Sequence, residues 1–338
     1  MKSIDIAKFV AALWVVALHA QPLANYPLSN FIVIDTLGQL AVPFFFIASA
    51  YFFFRKPADA SRVRHYLQRM GLLYAFWFCV TLPITMLHAF IEPQEPFGVR
   101  LFCFMRGFFF DSSFHGSWFL MALMQAVPLC WWLSHRMSNR ALLWLGVAIF
   151  LFTEAMSPHY AHLFAPFSFL FRHERTASLW SFVVYALTGG WARAFIYVVL
   201  GRWLAKTSVE NAQKRSPLFI EWPLLLLLLA SVAEATYEFV QPVRVQYFFA
   251  LAPVITLLLF CTLLRHEIKL HCIPHLRLRQ WSTLFYFSHF IYVFIFTDLF
   301  PMAPEEKYAL VLVLCSMTSE VIIRLSARPH FRWLQWAY

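Results

Sequence analysis

The chain has 338 residues, 61% hydrophobic, 19% aromatic and 13% charged, with a formal net charge of +10. Soluble domains hold roughly 45–50% apolar and about 25% charged residues, so this composition excludes a soluble globular protein; a disordered chain is excluded by the same arithmetic. Each membrane helix uses about 20 apolar residues, and ten of them would account for the excess. The apolar stretches are long continuous runs rather than short alternating ones, which argues against a β-barrel.

In chain order, the runs bounded by charge or proline predict ten spans. They cover 4–22, 36–54, 66–90, 117–133, 140–156, 185–204, 218–237, 245–264, 281–300 and 308–326. The first reads as a span rather than a cleaved signal, because Asp5 and Lys8 interrupt it and no A-x-A site follows. Residues 97–110, with Arg100 and Arg106 among phenylalanines, read as an interfacial helix. The stretch 177–206 is longer than one span and holds Gly189-Gly190 at its middle, so part of it is expected to be re-entrant or interfacial. The expected fold class is all-α: a polytopic membrane helix bundle, with residues 1–338 forming a single integral-membrane domain.

Loop charge predicts the orientation. With the N-terminus in the cytoplasm, 20 of the 27 Lys and Arg residues fall on the inner side, which places both termini in the cytoplasm. The basic balance therefore reports topology. No dense basic patch points to nucleic acid. The six cysteines are scattered without CxxC pairs, and His159 and His162 lack a third ligand, so no metal site is expected.

Ionisable groups inside spans are costly and mark candidate functional positions. Lys8 and His19 lie eleven residues apart in IDIAKFVAALWVVALHA. At about 100° and 1.5 Å per residue they share one helix face, separated by about 16 Å along the axis. Lys8 sits near the cytoplasmic end, where it could equally snorkel to the headgroups. His19 lies deeper, toward the outer leaflet, as a polar residue hydrogen-bonded between helices, as one at the interface beside Gln21, or as a general base, a task that suits the neutral imidazole burial would give.

The Lys8-x10-His19 spacing resembles the (Arg/Lys)-x10-His signature of the membrane acyltransferase 3 family. LAVPFFFIASAY at 40–51 is similar to that family's VPxFFxxSGY run, with Ala50 where glycine is usual. GSWFL at 116–120 resembles its WFL entry, and LFYFSH at 284–289 its IYLxH segment. The family's third-span RxxR pattern is absent; Arg62, Arg64 and Arg69 stand in ASRVRHYLQRM instead.

The resemblance implies a bacterial inner-membrane O-acyltransferase. It would move an acyl group, acetyl first among candidates, from cytoplasmic acyl-CoA to a carbohydrate or lipid-linked sugar. Acyl-CoA would be a co-substrate, with no cofactor bound. His19 takes the position of the family's motif histidine and Lys8 that of its motif cation. A sugar hydroxyl is a poor nucleophile, so a base must take its proton as it attacks the thioester, unless the imidazole itself carries the acyl group.

The basic loop 55–69, including Arg62, Arg64 and Arg69, faces the compartment of coenzyme A, though orientation alone would also explain it. His289 is a second base, an acceptor contact or a packing group. His115 and Trp118 sit at the outer mouth of the fourth span, as sugar contacts or, for Trp118, an interfacial anchor. Glu320 and Arg324, four apart, are expected to pair. Glu154, Glu234 and Glu238 are expected to be solvated. The rival reading is an exporter of a sugar or small metabolite, with His19 and Glu320 as a proton relay.

Overall fold

The computed structural model describes residues 2–91, 93–114, 116–156, 178–206, 219–241, 248–268 and 274–338. All regular structure among them is helical. The α-helices are α1 (Lys2–Ala20), α2 (Ala41–Phe54), α3 (Ala60–Met86), α4 (Phe97–Phe110), α5 (Ser117–Leu133) and α6 (Asn139–Ala155). They continue with α7 (Leu179–Thr188), α8 (Gly190–Lys206), α9 (Glu221–Phe239), α10 (Phe248–Arg265), α11 (His275–Phe294) and α12 (Pro304–Ser326).

Eight helical stretches among the described residues are long and apolar enough to cross a membrane. The segments expected at 117–133 and 140–156 are the 17-residue helices α5 and α6, shorter than those eight. A helix or helical stretch thus occupies each of the ten predicted segments.

Two boundaries differ from the sequence reading. The second stretch begins at Pro27, not at 36: a single turn leads into a π-helical segment (Asn30–Thr36) and a 3-10 turn (Leu37–Leu40) before α2. Asp35 therefore lies inside an apolar helical stretch. The 177–206 region is two helices broken at Gly189. A Cβ there would lie 2.7 Å from the carbonyl oxygens of Phe110 and Tyr185, so only glycine permits this approach.

The described chain divides into two compact units. The first comprises Met1–Ala48 and Leu204–Tyr338. Within it, α1 and α11 pack side by side along their length, and α12 lies against α11. α1 buries small residues (Ala11, Ala12, Ala17, Ala20), which lets neighbouring backbones approach closely. α12 presents Val311, Cys315, Ser319, Ile323 and Ser326, a stripe at helical spacing with small polar members. Ser288 on α11 donates to Cys315 on α12 at 3.4 Å. Near the N-terminus, the Ser3 hydroxyl donates to the His266 carbonyl (2.6 Å) and accepts from the Ile268 amide (2.8 Å). Leu40, Leu224, Phe248, Ala252 and Ile255 form an apolar cluster with α9 and α10.

The second unit comprises Ser49–Trp203. Its α3 starts where Asp59 caps the Arg62 amide at 2.8 Å. Gly116, at φ 80°, makes the left-handed turn into α5. Beside it, Ser117 accepts from the Ser113 and Phe114 amides at 2.9 and 3.2 Å. α4 was expected to lie in the interface, yet its Arg106 is buried, with the guanidinium 3.8 Å from the Tyr185 ring centre. A cation takes this place because the aromatic face stabilises it electrostatically.

Candidate active site

One unbroken helix carries Lys8 and His19, so the spacing argument for a shared face applies to it directly. At its far end, the His19 and His289 ring centroids are 5.3 Å apart. Phe290 closes the group, 4.7 Å from His19 and 4.0 Å from His289. The two histidines come from helices α1 and α11, which the sequence separates by 270 positions and the packing brings together.

Their surroundings differ. His289 is fully buried, and its Nδ1 lies 2.8 Å from the Phe285 carbonyl oxygen. A carbonyl only accepts, so Nδ1 carries the proton in this bond, which fixes the ring and leaves Nε2 as its other polar atom. His19 is exposed on the bare protein rather than enclosed among helices. An exposed imidazole beside a buried, oriented one suits a site that a substrate must reach.

Immediately beyond His19 the chain is held by a polar clasp. Gln21 adopts a left-handed conformation (φ 53°) that ends α1, and its amide group donates to the Leu18 carbonyl (2.8 Å) and to Asp35 (3.0 Å). Asn30 donates to the other Asp35 oxygen at 3.1 Å and to the Gln21 side-chain oxygen. Trp14 donates to the Val33 carbonyl at 3.0 Å, and Gly38 lies against Trp14 and Leu18. The π-helical turn of 30–36 thus directs Asn30 and Asp35 at the end of α1. Such turns recur at functional sites. The sequence signal was Asp35, one acid in the apolar run FIVIDTLGQLAVPFFF; an expected span starting at 36 left it outside.

The other end of the α1–α11 pair is an ion-pair cluster. Glu320 accepts from Arg277 (3.3 Å), Arg324 (3.2 Å) and the Trp281 indole (3.0 Å). Trp281 also packs on Phe9 of α1, with centroids 5.6 Å apart. The expected Glu320–Arg324 pair is present, joined by Arg277.

The basic residues proposed for the donor stand on α3, not in a loop. Arg64 and Arg69 are exposed; Arg62 is half-buried, donates to the Phe52 carbonyl at 3.4 Å and lies over the Phe53 ring. Arg62 and Arg69, seven apart, share a helix face, while Arg64 points away from it. Trp118 is half-buried and lies against Gly190. His115, His159 and His162 lie outside the described residues. The acids expected to be solvated are not all so: Glu238 is buried, and Glu234 accepts the Phe248 amide at 3.0 Å, at the start of α10. The Glu234 carboxylate thus serves the start of α10, where terminal N–H groups need partners.

The family model described as an acyltransferase domain, of the acyltransferase 3 family, matches residues 1–323. The chain belongs to this family. Relatives of this acyltransferase-family chain among curated proteins include an amino-acid racemase of Enterococcus faecalis, 27% identical over 139 residues, 40% of this chain and 19% of that protein. A serine/alanine racemase of Enterococcus gallinarum is 26% identical over 157 residues, 44% of this chain and 22% of that protein. The matched stretch spans about a fifth of the length of these relatives. No solved structure matches the chain.

Proposed function

We propose that this chain is an integral-membrane O-acyltransferase of a bacterial inner membrane, acting as one domain over 1–338 with ten spans and both termini in the cytoplasm. It moves an acyl group, acetyl from acetyl-CoA in the first instance, to a hydroxyl of an envelope glycan or lipid-linked sugar. Family membership supports the chemistry, and the observation that carries the site is the meeting of His19 with His289 at the end of α1.

In this reading His19 takes the proton of the acceptor hydroxyl as its oxygen attacks the thioester carbonyl. The C–S bond breaks, and the proton passes to the departing coenzyme A thiolate. Direct transfer needs only this base, whereas an acyl-imidazole would need a second proton acceptor when the hydroxyl attacks; His289 is the neighbour that could supply it. His289 otherwise orients the acceptor, with its ring held by the Phe285 carbonyl. The Gln21–Asn30–Asp35 clasp positions His19 by fixing the end of its helix. Lys8, three turns away on the same helix, favours the anionic donor by its charge, and Arg62, Arg64 and Arg69 of the second unit are, separately, proposed donor contacts. His115 and Trp118 are proposed acceptor contacts.

The exporter reading needs Glu320 and His19 to relay protons. Glu320 is engaged by two guanidinium groups and an indole. It reaches α11 at 277–281, eight or more residues before His289, which is about 12 Å or more of helix rise. Neither feature favours a relay. The racemase activity named for the enterococcal proteins is not carried over, since the shared stretch is about a fifth of their length.

The test is thioester consumption by the purified full chain with acetyl-CoA and crude envelope glycan. Free thiol appearing together with an acetyl mass increment on the glycan is the expected result. Solute accumulation driven by a proton gradient, with no thiol released, would replace the proposal with the exporter.

A further inference from the structure

The second unit holds a cavity of about 490 Å³, built from the end of α3, helix α4, the turn 111–114 and Tyr185 of α7. This volume lies within the range of small-molecule sites. Four charged side chains line it: Glu95, Arg100, Arg106 and Asp111, with His88 beside them. Arg106 is only 3% exposed, with its guanidinium over the Tyr185 ring and bonded to the Ser181 hydroxyl. Arg100 is held by the Phe90 carbonyl and lies over Phe97. The two guanidinium groups are thus braced by side chains and backbone, so their geometry is set before any ligand arrives.

The lining carries two acids and two guanidinium groups, so its formal charge balances. Carboxylates accept hydrogen bonds, and guanidinium groups donate them in a planar fork. A ligand that suits both has many groups able to donate and accept at once, with no net charge to break the balance. Hydroxyls have that property. The apolar patches of Phe104, Phe114 and Tyr185 suit the C–H faces of a ring that carries such hydroxyls.

We infer that this cavity is a binding site for a neutral carbohydrate of mono- or disaccharide size, with Glu95, Asp111, Arg100 and Arg106 meeting its hydroxyls. The inference rests on the acyl-transfer reading only for why a sugar should be at hand; binding itself requires no catalysis.

The test is saturation-transfer NMR on the detergent-solubilised full chain, with maltose, lactose and chitobiose as probes. At least one of them should show transfer to its ring protons. Val99→Trp, which fills the cavity without removing a polar group, should abolish that signal. Glu95→Gln, a change of nearly constant shape on the cavity wall, should weaken it in a protein whose helicity and thermal midpoint match the original. His19→Ala should leave it intact. The inference is overturned if none of the three sugars binds, or if binding is unaffected in both cavity variants. Sugar binding without thioester consumption would retain the cavity and refute the transferase; thioester consumption with no cavity-dependent binding would do the reverse.

Discussion

At the Phe9–Trp281 end of the α1–α11 pair, Glu320 is held by Arg277, Arg324 and the Trp281 indole; at the other end, His19 and His289 face each other with Phe290 between helices. The same two helices therefore carry ionisable groups in two ways. In the first set every charge has an opposite partner, two guanidinium groups sharing one carboxylate, which is how a charge beside an apolar surround is made tolerable. The second set places an exposed imidazole against a buried one and spends a separate polar clasp on holding the helix end. A charged residue inside a membrane helix is a functional candidate by default, but its partners decide which candidates are structural. By that criterion Glu320 is a fastening, and His19 remains the proposed working group.

The contrast can be broken by substitution. His289→Phe keeps the ring volume and removes both nitrogens; acyl transfer should fall by about 100-fold if His289 contacts the acceptor or shares its proton, measured as thiol release. Wild-type rates in a folded His289→Phe protein would reduce that residue to packing. Asp35→Ala should cost about tenfold in kcat through a loosened His19, with Asp35→Glu recovering part of it; a small displacement of a catalytic group is enough for such a loss. An effect confined to thermal stability would show that the clasp only builds the fold.

Lys8→Gln should raise the KM for acyl-CoA several-fold with kcat nearly unchanged, and Lys8→Arg should restore it, since arginine keeps the charge and adds a bidentate fork. The smallest effect on catalysis is expected at Glu320. Glu320→Gln should leave transfer within about twofold while lowering stability by about 1 kcal/mol, the scale of a partly exposed ion-pair network. Thermal melts beside activity assays separate the two, and a large catalytic loss at Glu320 would revive the proton relay.

Hydropathy made the helices legible, because crossing hydrocarbon imposes a length and an apolar composition that survive any detail of packing. The Lys8–His19 pair was legible for a similar reason: both lie on one helix, where spacing fixes direction. What escaped were features created by packing. Whether His19 is buried depends on what surrounds α1, and it proved exposed. The clasp needs a left-handed Gln21 and a π-helical turn, and neither has a local sequence signature as strong as a glycine or a proline. Asp35 and Arg106 were visible as charges amid apolar residues. Their partners, Gln21 and Asn30 for one and Tyr185 and Ser181 for the other, come from separate segments and only the fold unites them.

The claim at the centre of this account is that His19 removes the acceptor proton. Because His19 is exposed, His19→Ala should fold and insert normally, so its activity can be read without a stability correction. Mass spectrometry of envelope glycan incubated with acetyl-CoA and either protein gives the answer directly. The account predicts the acetyl increment with the unmodified chain and its loss, by at least about 100-fold, with His19→Ala. Equal acetylation by the two proteins would contradict it.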